Sequence, residues 1–438
     1  MINLEIYGLF LIFFILISYP FSDEEYSGIL KNTDLNFWLI FLVVLIYLIV
    51  LIVEIGLKIR LNFLFIILYY IIMVRDFIRF FLIYEIVFIL IIFTILILGY
   101  RFERLIAGYI MIFYSFLFSS PTLIILIVFD YRFLIKSWLN YAFIINYFLV
   151  GSFMVKFPIF GFHYWLPVAH VEASTVGSMI LAGVLLKLGG IGVFYIINYL
   201  RFIVKFHWLR IRVPLVMLMI LTIRDLKILI AYSSVAHMTI VFYVISLGRI
   251  IRKKGILIMM LYHGFISPLM FWLVGILAWW KTRSLIVVKL LRFSYLFLLV
   301  IFFLMILNMG FPPFIGFMSE ILILKSLVIF PLSLYVIVFR VLFRCYYNIY
   351  LFWCFNNLIG IVFKLNFYSL DLFIFLIMIL IINLYWKSVL HGILWLCWFI
   401  NSDYIYCTIN IINIINNGKK IFYYKFWSAF NFEENDYF

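Results

Sequence analysis

Long apolar runs, separated by short polar or Pro- and Gly-containing connections, extend along most of the chain. Many of these runs approach the roughly 20 residues that a helix needs to cross a bilayer. They lack the two-residue alternation of barrel strands, and only helices and closed barrels satisfy backbone hydrogen bonds in lipid. The pattern therefore predicts an all-α polytopic membrane protein with about 13 to 14 transmembrane helices. The predicted helices lie near residues 4–19, 37–53, 61–74, 78–98, 106–129, 141–157, 176–197, 211–223, 228–247, 256–279, 295–329, 332–355 and 368–385, and a final apolar run at 388–400 crosses the membrane or lies on its surface.

Two of the apolar segments are interrupted by helix-breaking residues. The first interruption, at Pro158 and Gly161, follows Lys156, and the second, at residues 308–313 (NMGFPP), precedes Glu320. Paired Pro and Gly interruptions in two halves of a membrane protein are typical of repeats that form an ion site near the middle of the bilayer. We therefore expect functional groups at both interruptions.

The composition places the chain in a membrane and sets its charge partners. Hydrophobic residues make up 68% and charged residues only 12% of the 438 positions, whereas soluble domains carry about 25% charged residues. The 33 Lys and Arg against 18 Asp and Glu give a formal charge of +15, and many of the basic residues lie in connections such as 201–212 and 249–254. Anionic lipid headgroups are the expected partner of such connections, and nucleic acid is not.

Redox and nucleotide chemistry are not expected within this chain. Its four cysteines, at positions 345, 354, 397 and 407, form no CxxC pair, so neither a zinc site nor an iron–sulfur cluster is predicted. The run LLKLGGIG lacks the glycines before the lysine and the Ser or Thr after it that a phosphate-binding loop requires. Residues 1–14 lack a basic segment and a cleavage site, so we expect the first helix to stay in the mature protein.

Lys156 and Lys187 lie within apolar segments, where a central lysine costs roughly 2.5–3.5 kcal/mol on insertion scales. Removal from water disfavours the charged form of a lysine and allows it to release a proton near neutral pH. Both lysines are therefore predicted proton carriers. The alternative is that each lies near a helix end and extends its amine to the headgroups.

Glu85 and Glu320 are acidic residues in similarly apolar surroundings. Glu85 requires a basic partner from another helix, and Lys156 is the predicted one, because pairing would couple their protonation states. The alternatives are a neutral carboxyl packed on a hydroxyl for Glu85 and helix capping near the interruption for Glu320. Lys325, five residues after Glu320, does not lie on the same helix face.

Four histidines, His163, His170, His237 and His263, occur in or beside these segments. An imidazole titrates near neutral pH and suits a proton relay. For each histidine alone, a hydrogen bond between helices is the alternative. The spacing H-x6-H of the first two does not match a zinc-binding helix.

Four arginines, at positions 75, 79, 340 and 344, also require partners. Asp76 with Arg75 and Arg79 is predicted to form an interfacial ion pair, whereas Arg340 and Arg344, four residues apart in an apolar run, require an acid that the sequence does not identify.

Residues 154–190, MVKFPIFGFHYWLPVAHVEASTVGSMILAGVLLKLGG, closely resemble the subunit 4 family of respiratory NADH:ubiquinone oxidoreductase, complex I, and more loosely the related cation/proton antiporter subunits. The segments FERLIAGYIMIFYS, DLKILIAYSSVAHM and NMGFPPFIGFMSEIL add to the resemblance, which covers residues 76–352. It departs from the family in a shorter region before Arg75, in Ser174 where a proline is usual, and in a missing proline after Glu85.

The resemblance implies a proton-translocating, antiporter-like membrane-arm subunit with two inverted five-helix repeats and two discontinuous helices. Glu85, Lys156, Lys187 and Glu320 match the residues that move protons in this family, and the four histidines match its relay positions. The implied regions are N-terminal helices at 1–60, a first repeat at 61–197, a second repeat at 211–355, C-terminal helices at 356–400 and a polar extension at 401–438.

The resemblance also implies partners and a location. No cofactor is expected in this chain, and NADH, FMN, iron–sulfur clusters and ubiquinone are expected elsewhere in the complex. The implied partners are the other membrane-arm subunits, especially the antiporter-like subunits 2 and 5, and lipids such as cardiolipin. We expect a multi-pass protein of the mitochondrial inner membrane, with the bacterial plasma membrane as the alternative.

Two other functions are compatible with the sequence. One is a subunit of a multisubunit cation/proton antiporter without a redox partner, and the other is a pump-inactive scaffold that fills the membrane arm. The presence of all four titratable Glu and Lys positions disfavours the scaffold.

Overall fold

A computed structural model of the protein describes residues 32–53, 58–74, 76–99, 103–128, 142–200, 209–246, 250–278, 284–288, 291–292, 295–311, 314–327, 331–356 and 361–362. The predicted helices at 4–19, 368–385 and 388–400, the extension at 401–438 and Arg75 lie outside these residues.

The first half of the described chain is helical throughout. Its helices are α1 (Asn32–Val53), α2 (Lys58–Met73), α3 (Phe77–Leu98), α4 (Arg104–Val128), α5 (Ala142–Lys156), α6 (Trp165–Glu172), α7 (Thr175–Ile180) and α8 (Leu186–Leu200). A π-helical turn, Leu181–Leu185, joins α7 to α8. The short helix α6 lies inside the first interruption and was not predicted as a separate element.

The second half of the described chain is also mainly helical. Its helices are α9 (Leu209–Thr222), α10 (Leu226–Ser246), α11 (Ile250–Ala278), α12 (Leu285–Val288), α13 (Tyr295–Met309), α14 (Ile315–Leu327) and α15 (Pro331–Phe355). The apolar segment predicted at 295–329 is thus two helices, α13 and α14, separated at the predicted interruption. Two connecting segments, β1 (Leu291–Arg292) and β2 (Ile361–Val362), pair in parallel as a minimal sheet outside the helices.

The helices have the length and composition of membrane spans. Within the described residues, five are long and apolar enough to cross a bilayer: Phe77–Leu98, Arg104–Ile127, Thr175–Ile196, Leu226–Ser246 and Gly255–Leu277. Most exposed positions on α3 and α4 are also apolar, as at Phe93, Tyr109 and Phe116, and such a surface is compatible with lipid rather than water. The predicted class, an all-α polytopic membrane protein, is confirmed, while the inverted repeats stay a prediction.

Helix α11 is the centre of the bundle. It packs against α10, α14, α7 and α1, and nearly every residue of α10 is buried. Because polar side chains on α10 and α11 face other helices rather than lipid, these two helices can carry ionisable groups through the protein interior.

Both predicted interruptions are present, and each contains a glycine in the left-handed region. The chain leaves α5 after Lys156 and resumes in α6, with Gly161 at φ +108° between them. Gly310, at φ +66°, follows the last residue of α13, and its N–H donates to the Leu307 carbonyl at 3.0 Å. A left-handed glycine ends a helix without the steric penalty that a Cβ would add.

Close helix packing at Gly183 generates a stability prediction. A Cβ at Gly183, in the π-helical turn, would collide with the Ile46 side chain of α1 and lie 2.9 Å from Pro268 Cγ of α11. We expect Gly183→Ala to lower the thermal unfolding temperature of the detergent-solubilised protein, since overpacking costs roughly 1–3 kcal/mol. Tryptophan fluorescence during heating measures this.

Gly151→Ala, in α5, is the matched control. A Cβ there would meet only Phe118 Cδ1, at 3.8 Å, and alanine favours the helix by about 1 kcal/mol over glycine. An unfolding temperature of Gly183→Ala equal to or above that of Gly151→Ala would contradict the packing described here.

Candidate functional site

The first part of the site is an ion pair between two helices. Lys156 is the last residue of α5, and its Nζ donates to Oε1 of Glu85 on α3. The lysine side chain is 1% exposed and the glutamate 17%. The predicted partnership of Glu85 and Lys156 is therefore present, and Lys156 does not extend to a headgroup.

Three aromatic rings of α3 surround the same ammonium group. Lys156 Nζ lies 4.5 Å from the ring centroid of Tyr84, 5.4 Å from that of Phe81 and 5.5 Å from that of Phe88. Aromatic faces attract a cation, and the attraction increases when water is excluded. Lys156 is thus stabilised as a cation by one carboxylate and three rings, and loss of the carboxylate would leave only the weaker attraction.

Tyr84 connects the ion pair to the next part of the site. Its hydroxyl donates to the Leu185 carbonyl at 3.4 Å, in the π-helical turn that precedes Lys187. The absence of a side chain at Gly189 allows this approach, because a Cβ there would lie 3.2 Å from the Tyr84 oxygen. One residue therefore contacts both Lys156 and the segment that carries Lys187.

The π-helical turn supplies the main contact of Lys187. A π turn shifts backbone hydrogen bonding by one residue and often occurs at functional sites. Lys187 Nζ donates to the Ala182 carbonyl at 2.5 Å, five residues earlier, and the side chain is 1% exposed. Lys187 is also held inside the bundle, so extension to the headgroups is excluded for it as well.

From Lys187 the polar contacts continue into α10 and α11. Lys187 Nζ lies 3.0 Å from Nδ1 of His263. The Ser267 hydroxyl, one turn further along α11, donates to the His263 carbonyl at 2.7 Å. The rings of His263 and His237 have their centroids 5.2 Å apart. These groups form a buried row that runs from α8 across α11 to α10.

The row ends in a cluster of two arginines and one glutamate. Arg340 Nη2 lies 2.7 Å from His237 Nδ1 and 3.8 Å from Glu320 Oε1. Arg344 Nη1 forms a second ion pair with the same oxygen of Glu320. Glu320 lies on the second turn of α14 and pairs with these guanidinium groups, so it does not cap the interruption.

Arg344 also contacts the interruption itself. Its Nε donates to the Asn308 carbonyl at 2.5 Å, near the end of α13. The Asn308 amide in turn donates to the Tyr347 hydroxyl and to Asn348 Oδ1, both at 2.9 Å. The last carbonyls of a helix lack intrahelical partners, and here an arginine of α15 satisfies one of them.

Sequence reasoning did not assign Arg340 and Arg344. Two arginines one turn apart in an apolar helix place their guanidinium groups on one face, and Glu320 is an acid without a basic neighbour on its own helix face. That combination is the signal that could have paired them. The acid that the sequence left unidentified is Glu320.

Two of the predicted histidines form no hydrogen bond with the members of this row among the described residues. His170 is fully buried, and its ring stacks on Phe271 with centroids 4.3 Å apart; neither ring nitrogen has a hydrogen-bond partner among the described residues. His163 lies in the first interruption, where its Nδ1 accepts from the Gly161 N–H at 3.2 Å. Their role as relay residues stays a prediction.

The remaining charged residues considered in the sequence analysis lie at the surface. Arg79 Nε pairs with Asp76 Oδ2 at 3.2 Å, and both side chains are mostly exposed, as predicted for an interfacial pair. Lys325 is exposed. Within the described part of the chain, no three His, Cys, Asp or Glu side chains are grouped so that they could hold a metal ion.

The chain is similar to membrane proteins of known families. The profile of the NADH:quinone oxidoreductase/Mrp antiporter transmembrane family matches residues 74–346. NADH-ubiquinone oxidoreductase chain 4 of Ceratitis capitata is 36% identical over 278 residues, covering 59% of this chain and 62% of the relative. The Ascaris suum protein of the same name is 34% identical over 274 residues, covering 59% and 65%. The chain thus matches about three fifths of the length of these relatives.

The fold is also similar to a solved structure. A chain of respiratory complex I from Thermus thermophilus with bound NADH superposes with a TM-score of 0.69, at 19% identity, and the match covers 85% of this chain and 87% of that one. At this identity the likeness concerns the fold.

The burial of the two lysines generates a labelling prediction. In the detergent-solubilised protein, we expect an amine-reactive reagent to modify exposed Lys325 much faster than Lys156 or Lys187, which are each 1% exposed. Each buried amine is also held by hydrogen bonds. Peptide mass spectrometry after timed labelling measures the three rates, and equal rates would contradict the described environment of the site.

Proposed function

Because the chain belongs to the NADH:quinone oxidoreductase/Mrp antiporter transmembrane family, we propose that it is a proton-translocating, antiporter-like core subunit of respiratory complex I. In that role it couples electron transfer from NADH to ubiquinone to proton movement across the membrane. The observation that carries the proposal is the row of buried ionisable groups from the Glu85–Lys156 pair through Lys187 and His263 to His237.

The row supports proton transfer because its members can exchange protons over short distances. Lys187 as an ammonium group donates a proton to His263 Nδ1, which leaves a neutral amine and an imidazolium. Their separation, 3.0 Å, is a hydrogen-bond distance, and geometry of this kind is the first requirement for proton transfer. The ring of His237 lies beside that of His263, with centroids 5.2 Å apart, and forms part of the environment of that imidazolium.

The Glu85–Lys156 pair is the proposed input. An electrostatic change in a neighbouring subunit draws Glu85 away, and the ammonium of Lys156 then lies in a low-dielectric interior without its carboxylate. Lys156 therefore releases its proton, and the acceptor is the neutral amine of Lys187 that remains after Lys187 has donated to His263; Tyr84 contacts both Lys156 and the segment that carries Lys187. Return of Glu85 favours the uptake of a new proton by Lys156 and resets the pair.

The free energies are compatible with such a step. Moving one charge against 100 mV costs about 2.3 kcal/mol. Removing one partner of a buried ion pair costs roughly 3–5 kcal/mol. The free-energy change of opening and closing a single buried ion pair is therefore large enough to drive one proton against a membrane potential of about 100 mV.

The remaining assignments follow from the same proposal. The chain holds no cofactor itself, and NADH, FMN, the iron–sulfur clusters and ubiquinone bind other subunits. Its neighbours are the antiporter-like subunits 2 and 5 of the membrane arm, with cardiolipin among its lipids, and its location is the mitochondrial inner membrane. The relatives named NADH-ubiquinone oxidoreductase chain 4 support this set of assignments.

Native electrophoresis of gently solubilised membranes tests membership of the complex. We expect the chain to co-migrate with NADH-oxidising activity in one high-molecular-weight band. Migration in a separate band without that activity, together with sodium-dependent proton exchange in vesicles, would instead support a cation/proton antiporter.

Replacement of Lys156 tests the proton path. We expect Lys156→Ala to lower the number of protons pumped per NADH oxidised while the assembled complex keeps its NADH oxidation by artificial acceptors, because the carrier is lost but the redox subunits are unchanged. Lys325→Ala, which removes an exposed lysine, is the control and should pump normally. An unchanged ratio in Lys156→Ala would remove Lys156 from the mechanism.

A further inference from the structure

The donor and the acceptor in the contact between Arg340 and His237 can be assigned. A guanidinium group carries only donors and keeps its charge at all physiological pH values. The 2.7 Å contact of Arg340 Nη2 with His237 Nδ1 is therefore a hydrogen bond that Nδ1 accepts, and the proton of a neutral His237 lies on Nε2. Arg340 cannot take a proton from His237 and pass it on.

Arg340 nevertheless stands between His237 and Glu320. Its Nη2 contacts both the histidine nitrogen and, at 3.8 Å, the Glu320 carboxylate. A proton on His237 would have to pass a permanent cation to reach Glu320 along this row. Because Nδ1 of His237 is held by Arg340 and Nε2 already carries a proton, the row of groups that can accept a proton ends, among the described residues, at His263.

The Glu320 carboxylate forms ion pairs with two guanidinium groups through one oxygen, Oε1. Arg344 forms an ion pair with it through Nη1, while its Nε holds the Asn308 carbonyl at the end of α13. Glu320, Arg340 and Arg344 are 7%, 1% and 1% exposed. The Tyr262 hydroxyl of α11 also lies near, since a Cβ at Gly316, one turn before Glu320, would be 2.6 Å from it.

These contacts lead to one inference, which rests on the proposed function. We propose that Glu320 is a fixed countercharge, held ionised by Arg340 and Arg344, that sets the electrostatic environment of the His237–His263 pair, and that Glu320 itself does not carry the proton. Arg340 and Arg344 are positioning residues: they hold the carboxylate and do not carry the proton either. Arg344 additionally links the two helices of the second interruption, because it contacts α13 through Asn308 and α14 through Glu320.

Charge arithmetic gives the expected effects of substitution. Two guanidinium groups and one carboxylate give the cluster a charge of +1 beside His237. Glu320→Gln raises it to +2, which opposes a proton on the histidines, and Arg344→Gln lowers it to zero. The double variant Glu320→Gln/Arg344→Gln returns it to +1, and the glutamine amide introduced by Arg344→Gln retains a donor for the Asn308 carbonyl.

The test measures protons pumped per NADH oxidised by the assembled complex in membrane vesicles. We expect Glu320→Gln to lower this ratio by at least about tenfold, because a cluster charge of +2 hinders proton uptake by the neighbouring histidines, and the double variant to recover most of the loss. Recovery of the ratio in the double variant would distinguish a countercharge from a proton carrier, because a glutamine at position 320 cannot carry a proton in either variant. Equal losses in the single and double variants, or normal pumping in Glu320→Gln, would overturn it.

Two controls separate this proposal from the proposed function and from a loss of structure. Arg79→Gln removes an exposed arginine from its pair with Asp76 and should pump normally. Lys156→Ala reports on the proposed function: if it pumps normally, the proton path itself is wrong, whatever the Glu320 variants do. All ratios are taken per assembled complex, so a purely structural defect lowers its amount but leaves the ratio unchanged.

A spectroscopic measurement covers the case in which the Glu320 variants fail to assemble. Infrared difference spectra of the wild-type complex, with glutamate isotopically labelled in this chain alone, report protonated carboxyl groups during turnover, and spectra of Glu85→Gln and of Glu172→Gln assign the signals of half-buried Glu85 and buried Glu172. We expect no protonated carboxyl signal beyond those that these two variants remove. A further signal that appears and disappears with turnover would overturn the proposal.

Discussion

The structure depends on the local neutralisation of charge in an interior that excludes water. Each ionisable group in the bundle core would be strongly destabilised alone, and the observed contacts give the buried lysines an opposite charge, aromatic faces, a carbonyl oxygen or a histidine. Lys156 has Glu85 and three rings, and Lys187 has a carbonyl and a histidine. The same requirement that stabilises these groups makes their protonation sensitive to small movements of a partner.

The interrupted helices supply polar groups where a regular helix would supply none. Each interruption contains a glycine in the left-handed region, and an arginine from another helix binds a backbone carbonyl there: Arg212 donates to Phe160 at 2.5 Å and Arg344 to Asn308 at 2.5 Å. These arginines satisfy backbone groups that lipid could not. The interruptions are therefore fixed structural features, and they place Lys156 and Glu320 at opposite ends of the polar row.

The row combines groups of two different kinds. Lysines and histidines exchange protons under physiological conditions, whereas arginines do not. Between His263 and Glu320 the row changes from one kind to the other at Arg340. This boundary means that spatial continuity of polar groups is not the same as a continuous path for protons, and it assigns an electrostatic role to the groups beyond His237.

The sequence by itself determined the fold class, the limits of most helices between residues 37 and 355 and the two interruptions, because these depend on apolar length, Pro and Gly. It also identified Glu85, Lys156, Lys187 and Glu320 as costly charges in apolar segments. The Glu85–Lys156 pair was also predicted, but only the tertiary structure decided the partners of Glu320 and Lys187. The approach of α15 to α14 unites Arg344 with Glu320, and the π-helical turn directs Lys187 to His263. Pairing depends on the angles and distances between helices, and local sequence pattern carries no information about these.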